Sequence, residues 1–306
     1  MWNDKNYHTL DFELKKNFGE KTIKLSIDGG FTCPNRDGTI GNKGCIFCSE
    51  RGSGDFTSDR TKSISQQILE QKQIMSKKWK SNTYIAYFQN YTNTYDSVEN
   101  LRKKFYESLN CEHICGLAIA TRPDCINEEI ADLLSELNTK TFLWVELGLQ
   151  TINEKTANLI RRGYKLNQFN NCIELLKKKN IRTVVHLIVG LPGESKEQMI
   201  DTATYVSKLN VWGVKIHMLH ILKNTDLAEY YNNNPFKILS QEEYIEIVCD
   251  ILEVLKENIV IHRLTGDGKK SDLIEPLWTL NKLKVLSDID KELKTRESYQ
   301  GKNSPL

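Results

Sequence analysis

The sequence predicts an α/β fold, a partial (β/α)6 barrel of the TIM type followed by a C-terminal α/β extension. Six short runs of apolar and β-branched residues alternate with six longer amphipathic stretches, an order typical of βα units around a parallel sheet. Some short runs, such as 184–189, are nearly continuous in apolar residues, as expected of strands buried on both faces. The length of 306 residues suits a barrel that forms one unit.

The predicted elements of the barrel follow one another from residue 22 to residue 219. The strand candidates are residues 22–28, 83–88, 116–120, 142–147, 183–189 and 214–219. The helix candidates between them are residues 64–78, 97–109, 127–137, 154–161, 166–178 and 196–209. Helices are expected to begin near Ser97, Asn127 and Ser195, because each of these capping residues precedes acidic residues of a first turn.

The pattern changes after about residue 224. The later part is predicted to contain, in order, a polar turn at 230–235, a strongly periodic helix at 241–256, a short strand at 259–263, a glycine-bearing loop at 265–270 and a polar helical region. The tail at 298–306 is expected to be frayed or to depend on a partner. The predicted division of the chain is an N-terminal segment (1–20), a barrel (21–228) and a C-terminal extension or lid (229–306).

Composition leaves the class of partner open. The 42 Lys and Arg residues nearly balance the 40 Asp and Glu residues, and the formal net charge of +2 neither requires nor excludes a nucleic acid. Residues 1–10 lack the basic and apolar regions of a signal peptide, and no window approaches the roughly 18 apolar residues of a membrane helix. We therefore expect a cytoplasmic protein with no membrane partner. In that reducing compartment its eight cysteines indicate metal binding or catalysis rather than disulfides.

Three cysteines lie in one glycine-rich loop directly after the first strand candidate. Cys45 and Cys48 have the two-residue spacing that lets both sulfurs face one metal centre, and Cys33 precedes them in the same loop. A closed zinc site needs a fourth ligand, but the nearest such residues along the chain are His8 and Cys111. Three thiolates would instead leave one iron of a cluster open. A zinc loop completed by a distant residue, and cysteines that only pack, are the alternatives.

The amino-acid sequence of this loop resembles that of the cluster loop in the radical S-adenosylmethionine (SAM) superfamily. The commonest spacing there is Cys-x3-Cys-x2-Cys, whereas eleven residues separate Cys33 from Cys45 here. The longer gap resembles the catalytic subunit of Elongator and, more closely, a bacterial radical SAM family that carries Gly-Phe-Thr-Cys-Pro-Asn-Arg-Asp-Gly, the sequence of residues 30–38. The resemblance implies a four-iron, four-sulfur (4Fe-4S) cluster on Cys33, Cys45 and Cys48, with SAM as the second cofactor.

The resemblance also implies an enzyme and its reaction. In this superfamily the reduced cluster cleaves SAM to give a 5′-deoxyadenosyl radical, which takes hydrogen from a substrate. The class of the enzyme, transferase or oxidoreductase, is left open, and the electron is expected from a donor such as flavodoxin or ferredoxin. A non-catalytic iron-sulfur sensor or partner protein is the alternative from another class, because the Gly-Gly-Glu turn of many members is missing after the second strand.

The resemblance assigns SAM contacts to the carboxyl ends of the strands, where βα barrels place their chemistry in general. The predicted contacts are Phe47 between the last two cysteines, Gln89, Asn90, Tyr91 and Thr92 after the second strand, Gln150 and Arg162 after the fourth, and His186, Gly190 and Pro192 in and after the fifth. Three alternatives stay open, an ordinary polar loop at 89–92, a solvated helix end at Arg161 and Arg162, and a core position for His186. No catalytic residue is assigned.

The resemblance favours a tRNA base as substrate. Elongator-like relatives act on the wobble uridine of tRNA. Two segments of this chain, residues 120–124 (Ala-Thr-Arg-Pro-Asp) and 146–150 (Glu-Leu-Gly-Leu-Gln), resemble sequence motifs of those relatives. The C-terminal segment offers basic groups and one aromatic ring for stacking, namely His262, Arg263, Lys269, Lys270, Trp278, Lys282 and Lys284. A lid that merely packs on the barrel explains this segment equally well. A small-molecule or cofactor-biosynthesis substrate is the second enzyme hypothesis.

Overall fold

The described part of the chain forms a curled, seven-stranded parallel sheet. The structure is a computed structural model that describes residues 2–50, 52, 57–266 and 268–304. Its strands are β1 (Thr22–Ile27), β2 (Thr83–Phe88), β3 (Ile114–Thr121), β4 (Phe142–Gln150), β5 (Arg182–Val189), β6 (Gly213–Met218), β7 (Ile221–Leu222), β8 (Val260–Arg263) and β9 (Leu273–Glu275). The large sheet has the order β1-β2-β3-β4-β5-β6-β8, with every neighbouring pair parallel. β7 and β9 form a separate antiparallel pair.

The helices begin largely where capping residues predict. They are α1 (Leu10–Phe18), α2 (Ile64–Ser76), α3 (Val98–Leu109), α4 (Glu128–Asn138), α5 (Glu154–Leu159), α6 (Leu166–Lys178), α7 (Lys196–Lys208), α8 (Asp226–Asn233), α9 (Gln241–Val254) and α10 (Lys282–Thr295). The side chains of Ser97, Asn127 and Ser195 each accept a hydrogen bond from a backbone N–H of the first turn. All three predicted caps are therefore confirmed.

The apolar core includes a layer on each face of the sheet. The outer layer separates the sheet from the helices and includes the fully buried Leu25 and Phe88. The inner layer fills the inside of the curl, where Trp144 packs with Leu10 and Leu14 of α1. Because Trp144 lies in the first third of β4, α1 closes the amino-terminal end of the barrel. The carboxyl ends of the strands are thus the side left for a functional site.

The predicted fold class is confirmed, and the predicted ends of the barrel elements differ from the observed ones by at most three residues. The strand predicted at 259–263 is β8, which pairs with β6 and adds a seventh strand to the barrel sheet. The segment 230–235, predicted to be turn-like, is mostly helical, because Thr225 caps α8 and Leu227 is buried beneath it. The division at residues 20 and 228 stays a prediction.

The tail is ordered as far as residue 304, and the expectation of fraying is wrong there. Ser298 is 3% exposed and Gln300 is fully buried. The Gln300 amide donates to the carbonyls of Lys256 and Ile259, both at 2.7 Å, and accepts from the His8 N–H at 2.8 Å. These partners lie far away along the chain, so local sequence could not reveal them. Residues 305 and 306, and Asp267 of the predicted loop at 265–270, lie outside the described residues.

Among the described residues, no helix combines the length and the apolar character needed to cross a bilayer.

Candidate active site

The cysteine loop follows Asp28, whose backbone is held in place by α2. Gln67 of α2 accepts from the Asp28 N–H and donates to the Asp28 carbonyl, both at 2.9 Å. The Asp28 carboxylate then accepts from the Gly30 N–H at 2.9 Å. Since Asp28 and Gln67 are both buried, the first residues after β1 have a defined direction. The loop therefore starts at the carboxyl edge of the sheet.

Hydrogen bonds within the loop bring its two ends together. The Gly44 N–H donates to the Asn35 carbonyl at 2.6 Å, and the Cys48 N–H donates to the Cys45 carbonyl at 3.1 Å. The Arg36 guanidinium donates to the carbonyls of Cys48 and Ser49, at 3.1 and 2.6 Å. Because these bonds need no bound group, the protein itself specifies the shape of the loop.

The three loop thiols influence one another electrostatically. Burial, together with the charges of Cys48 and Cys33, raises the pKa of Cys45 to about 12, while Arg122 opposes this rise. Burial likewise raises the pKa of Cys48, with Cys33 adding to the effect. The Asn35 amide lies 3.7 Å from the Cys45 sulfur and donates to the Arg161 carbonyl at 2.7 Å.

The three thiols of the loop are the predicted ligands of a cluster. A 4Fe-4S cube takes each thiolate on a different iron. Three neighbouring thiols in a preformed loop fit that donor set.

The segment that follows β2 carries two buried side-chain amide oxygens. The backbone of this segment is tied to the cysteine loop, because the Thr92 N–H donates to the Thr32 carbonyl at 3.2 Å. Asn90 and Asn93 are 2% and 0% exposed, yet their Oδ1 atoms have no hydrogen-bond partner among the described residues. A buried acceptor left without a donor is costly, and an ammonium or amine of a bound cofactor would supply one. Asn93 was not among the predicted contacts.

Hydrogen bonds donated by the amide nitrogens of Asn90 and Asn93 hold the two side chains in place. Asn90 Nδ2 donates to Asp28 Oδ2 at 2.7 Å and to Thr57 Oγ1 at 3.1 Å. Asn93 Nδ2 donates to the Ala120 carbonyl at 2.7 Å. The two oxygens are therefore oriented by the protein before any ligand arrives.

Tyr91 and Gln89 have different surroundings. Tyr91 has a left-handed backbone with φ of 58°, its hydroxyl donates to the Glu50 carbonyl, and its ring lies 5.7 Å from the Arg36 guanidinium. It therefore covers the segment after Cys48 from the side. Gln89 donates its backbone N–H to the Ile27 carbonyl at 3.2 Å and is partly exposed.

Arg162 is buried, so the alternative of a solvated helix end is wrong for this residue. Its side chain is 2% exposed and lies 4.7 Å from the Tyr164 ring. The guanidinium donates to the carbonyls of Leu149, Thr151 and Tyr164, at 3.2, 2.7 and 3.0 Å, and to Glu154 at 3.0 Å. These bonds fasten the end of β4 to the start of α5 and α6. A contact between Arg162 and a SAM carboxylate stays a prediction.

Gln150 ends β4 in a strained conformation. Its φ is 68°, in the left-handed region that residues with a Cβ seldom adopt. A Cβ on Gly148 would lie only 2.7 Å from Gln150 Nε2, so the amide folds back over that glycine. Strain of this kind tends to occur at ligand sites. The β4–β5 register also shifts between Gly148 and Gln150.

The turn after β5 meets the cysteine loop through apolar contacts. Gly190 has φ of 91°, which suits glycine at the start of the Gly-Leu-Pro-Gly-Glu turn containing Pro192. Ile46, Ile188 and Leu191 belong to one buried cluster, and Phe47 packs against it. The structure thus brings Phe47 and the turn at Gly190–Pro192 into one neighbourhood.

His186 lies deeper than the other predicted contacts. It stands four residues before Gly190, and its Nε2 is 2.8 Å from Glu146 Oε2. The His186 and His217 rings are 5.1 Å apart between centroids. A cofactor contact for His186 stays a prediction, and its observed partners place it in a network inside the barrel.

That network, here called the interior polar layer, consists of Lys24, Tyr87, Glu146, His186, Lys215 and His217. Glu146 Oε2 accepts from the Tyr87 hydroxyl at 3.0 Å and from Lys215 Nζ at 2.8 Å. Its Oε1 accepts from the Trp144 indole N–H at 3.0 Å. Burial would raise the pKa of Glu146, but Lys215 and the His186 hydrogen bond hold it well below its usual range. Glu146 is therefore an anion.

Similarity to known proteins agrees with this fold and site. The profile of the radical SAM superfamily matches residues 37–206, and that of the Radical_SAM C-terminal domain matches residues 211–295. The chain belongs to the radical SAM superfamily. It is an enzyme of that superfamily, with a 4Fe-4S cluster and SAM as cofactors, so the predictions of family, cofactors and enzyme are confirmed.

Relatives of similar length are found in bacteria. The chain is 48% identical over 299 residues to the uncharacterized protein YtqA of Bacillus subtilis, covering 98% of this chain and 93% of YtqA. It is 33% identical over 282 residues to protein YhcC of Escherichia coli, covering 92% of this chain and 90% of YhcC.

The chain is more distantly similar to Elongator-type proteins. The tRNA uridine(34) acetyltransferase of Methanocaldococcus infernus is 28% identical over 165 residues, covering 51% of this chain and 29% of that protein. Among solved structures, the Methanocaldococcus infernus Elp3 with an N-terminal deletion has a TM-score of 0.70 at 16% identity. That match covers 91% of this chain and 64% of the Elp3 chain, and it supports the fold.

Proposed function

We propose that this radical SAM enzyme modifies the side chain of a wobble uridine in tRNA, with its cluster held by Cys33, Cys45 and Cys48. The observation that carries the cluster assignment is the single preformed loop in which these thiols lie together at the carboxyl edge of the sheet. The similarity to a tRNA uridine(34) acetyltransferase over 165 residues supports the choice of substrate.

The chemistry follows from the cofactors of the superfamily. When bound and reduced, the cluster supplies the electron that cleaves SAM, which yields a radical able to take hydrogen from a nearby substrate. The role of the protein is to position the reactants and to keep water away from them. The cysteine loop, the end of β4 and the turn after β5 suit this role because hydrogen bonds or apolar packing hold each of them in place.

The SAM contacts of the proposal divide between polar and apolar groups. The oxygens of Asn90 and Asn93 would accept hydrogen bonds from the SAM amino group, replacing the missing Gly-Gly-Glu turn. Gln150 would bind the ribose hydroxyls, because an amide offers both a donor and an acceptor. Phe47 and the backbone of Gly190 would line the adenine.

The case for tRNA gains little from the C-terminal segment. Trp278 donates its indole N–H to the Leu239 carbonyl at 3.0 Å and packs against Tyr244, so it is not available for stacking. Lys269 pairs with Asp272 at 3.1 Å, and Lys284 pairs with Asp288. Support for tRNA therefore comes from the similarity. A flavodoxin or ferredoxin as electron donor, and a cytoplasmic location, belong to the same proposal.

Two measurements test this function. Anaerobically reconstituted protein with SAM and dithionite should form 5′-deoxyadenosine, and absence of this product would contradict turnover. Nucleosides of tRNA from cells with and without the gene should then differ at one uridine derivative in a mass-spectrometric comparison. Identical nucleoside profiles alongside 5′-deoxyadenosine formation would reject tRNA while keeping the radical chemistry.

A further inference from the structure

Exposed lysines surround an exposed tryptophan directly after α2. Residues 77–80 are Lys-Lys-Trp-Lys and lie between α2 and β2. All four residues are exposed, Trp79 to 48%. Lys21, just before β1, has its Nζ 3.4 Å from the centroid of the Trp79 ring. Lys21 and residues 77–80 are here called the α2 basic patch.

Hydrogen bonds fix the backbone of the patch. The N–H groups of Lys78 and Trp79 both donate to the Met75 carbonyl at 2.9 Å, which continues the end of α2. The Ser81 hydroxyl donates to the Lys21 carbonyl and joins the segment after α2 to the start of β1. The lysines and the indole therefore extend from a defined surface.

The positive charge of the patch is not neutralised locally. Among the described residues, no carboxylate forms an ion pair with a lysine of the patch. Glu20 is next to Lys21 in the sequence, but it accepts a hydrogen bond from the Thr83 hydroxyl. Four like charges so close together create a positive local field, and an anionic partner would relieve their mutual repulsion.

A run of lysines at the end of α6 shows the contrast. Residues 177–179 are also three consecutive lysines. Lys177 pairs with Glu174 at 2.8 Å, and Lys179 pairs with Asp132. Local carboxylates therefore compensate most of the charge at the end of α6, whereas the α2 basic patch lacks such compensation.

The mixture of cations and an exposed aromatic ring suits a nucleic acid. Lysines attract the phosphates of the backbone, and an aromatic side chain offers a face on which a base stacks whatever its identity. Trp79 is large and apolar, so its exposure among three lysines of its own segment matches this combination.

A membrane surface fits the patch less well than RNA does. Binding to lipid needs a continuous apolar stripe beside the cations. Leu69 and Ile74 are the exposed large apolar residues of α2. They are five positions apart, which places them about 140° from each other around the helix. They therefore form no common stripe with which Trp79 could insert into a bilayer.

The patch lies at the edge of the sheet opposite to the candidate active site. Lys21 and Lys80 precede β1 and β2, whereas the cysteine loop follows β1. β1 has six residues and spans about 20 Å. A double-stranded stem of about six base pairs covers that distance. An acidic electron donor has to approach the cluster at the other edge, so this location favours an extended polyanion.

We propose that the α2 basic patch binds the sugar-phosphate backbone of the RNA whose base is modified at the candidate active site. The lysines contact phosphates, and Trp79 stacks on an exposed base. This inference deepens the proposed function and rests on it, because it names the surface that holds the substrate away from the reacting base.

The test is fluorescence anisotropy of a labelled, unmodified tRNA transcript titrated with full-length, anaerobically reconstituted protein at several KCl concentrations. The combined variant Lys77→Gln, Lys78→Gln, Lys80→Gln should bind at least tenfold more weakly at low salt. It should also lower the slope of log affinity against log salt by about two to three, because three phosphate contacts are lost. Trp79→Ala should weaken binding at least fivefold with an unchanged slope, since stacking releases no counterions.

The lysines of α6 provide the matched control. The combined variant Lys177→Gln, Lys178→Gln, Lys179→Gln removes the same charge at the end of another helix. Its affinity for the transcript should stay within about twofold of wild type, because paired lysines have little free charge to offer. Both triple variants should form 5′-deoxyadenosine from SAM without RNA at the wild-type rate, which excludes a folding defect.

Three results would overturn the proposal. The first is absence of tRNA binding by wild type. The second is an equal loss of affinity in the two triple variants, which would mean unspecific attraction by total charge. The third is equally tight binding, with the same dependence on the patch lysines, to vesicles of phosphatidylserine and phosphatidylcholine or to polyglutamate. Vesicle binding would assign the patch to a membrane, and polyglutamate binding would assign it to an acidic protein.

Failure of this inference is distinguishable from failure of the proposed function. Unchanged tRNA nucleosides in cells without the gene, alongside RNA binding that depends on the patch lysines, would reject the uridine modification and keep the RNA-binding surface. Changed nucleosides, alongside wild-type affinity in the Lys77, Lys78, Lys80 variant, would keep the modification and reject the surface.

Discussion

The loop cysteines differ from the remaining cysteines in what surrounds them. Cys172 and Cys249 are packed among the apolar side chains of the core. Cys33, Cys45 and Cys48 instead lie among backbone donors and the guanidinium groups of Arg36 and Arg122. These cations oppose the effect of burial on the Cys45 and Cys48 thiols, and thiolates are the ligands of iron-sulfur clusters.

Replacing a loop cysteine should remove the cluster. In Cys33→Ala, Cys45→Ala or Cys48→Ala, we expect iron and sulfide after anaerobic reconstitution to fall to a small fraction of the wild-type content, because two thiolates cannot retain the cube. The measurement is chemical analysis of iron and sulfide with the visible charge-transfer absorbance. Cys111→Ala, outside the loop, should reconstitute like wild type, and equal losses in all four variants would contradict the assignment.

Asn93 permits a second test at the scale of one residue. Asn93→Ala removes an unpartnered acceptor oxygen, and SAM should bind about tenfold more weakly, as expected for a lost hydrogen bond to a charged group. Equilibrium dialysis of SAM against anaerobically reconstituted protein measures the effect. Asn100→Ala, on the exposed face of α3, is the control. Unchanged SAM affinity in Asn93→Ala would show that its oxygen has another role.

At the scale of elements, the cysteine loop depends on a glycine at one tight position. Gly44 has φ of 74°, and a Cβ there would lie 2.8 Å from Arg36 Nε. Gly44→Ala should displace Arg36 from the carbonyls of Cys48 and Ser49 and lower the iron content at least severalfold.

Gly193 provides the matched control for this prediction. It has a similar φ of 79°, but a Cβ there would meet nothing within 4 Å. Gly193→Ala therefore introduces backbone strain without a clash, outside the cysteine loop. Iron analysis after reconstitution should show wild-type content in Gly193→Ala. An equal loss in both variants would mean that strain alone, rather than the position of Arg36, decides cluster assembly.

The tail is the second element whose role can be tested. Gln300→Ala leaves two carbonyls and one N–H without their buried partner, and each such group costs ~1–3 kcal/mol. We expect the free energy of unfolding to fall by about 3 kcal/mol in urea titration. The exposed substitution Lys302→Ala should change it by less than about 0.5 kcal/mol. Equal effects of the two substitutions would show that the tail does not contribute through Gln300.

At the scale of the whole molecule, the barrel interior links stability to pH. The pKa of Lys24 is about 7 in the folded chain and 10.5 in the unfolded one, so between these values the unfolded chain holds more protons. The free energy of unfolding therefore rises with pH across this window, and the cost of the charge is complete below pH 7. The groups acting on Lys24 are Glu146, Lys215, Arg263 and Lys282.

Lys24→Met should remove that dependence. The variant should exceed wild type in stability below pH 7, and the difference should shrink as the pH rises towards 10.5. Thermal melts of both proteins at several pH values, compared with Lys178→Met, measure this. A constant difference between Lys24→Met and wild type across the window would contradict the lowered pKa.

Much of the architecture could be predicted because it depends on local patterns. The alternation of apolar runs and amphipathic stretches placed six strands and six helices to within three residues. The exceptions depend on distant partners. α1 is stabilised by packing inside the barrel through Leu10 and Leu14, and β8 becomes part of the sheet only by pairing with β6.

Some residues of the candidate site could have been recognised from the sequence. Lys24, Glu146 and Lys215 are charged residues within otherwise apolar strands, and such residues need partners when buried. Their spacing along the chain contains no hint of contact, since at least four elements separate each of them from the next. Asn93 gave no signal beyond lying in a polar loop.

The sequence by itself determined the α/β barrel class, the cysteine loop and, through its resemblance, the family, because all three depend on residues close together along the chain. Tertiary structure alone decided which side chains meet inside the curl. Strands β1, β4 and β6 each turn one charged residue inwards, and their parallel registers bring Lys24, Glu146 and Lys215 into a single layer. A charge network assembled across a sheet has no counterpart in linear order.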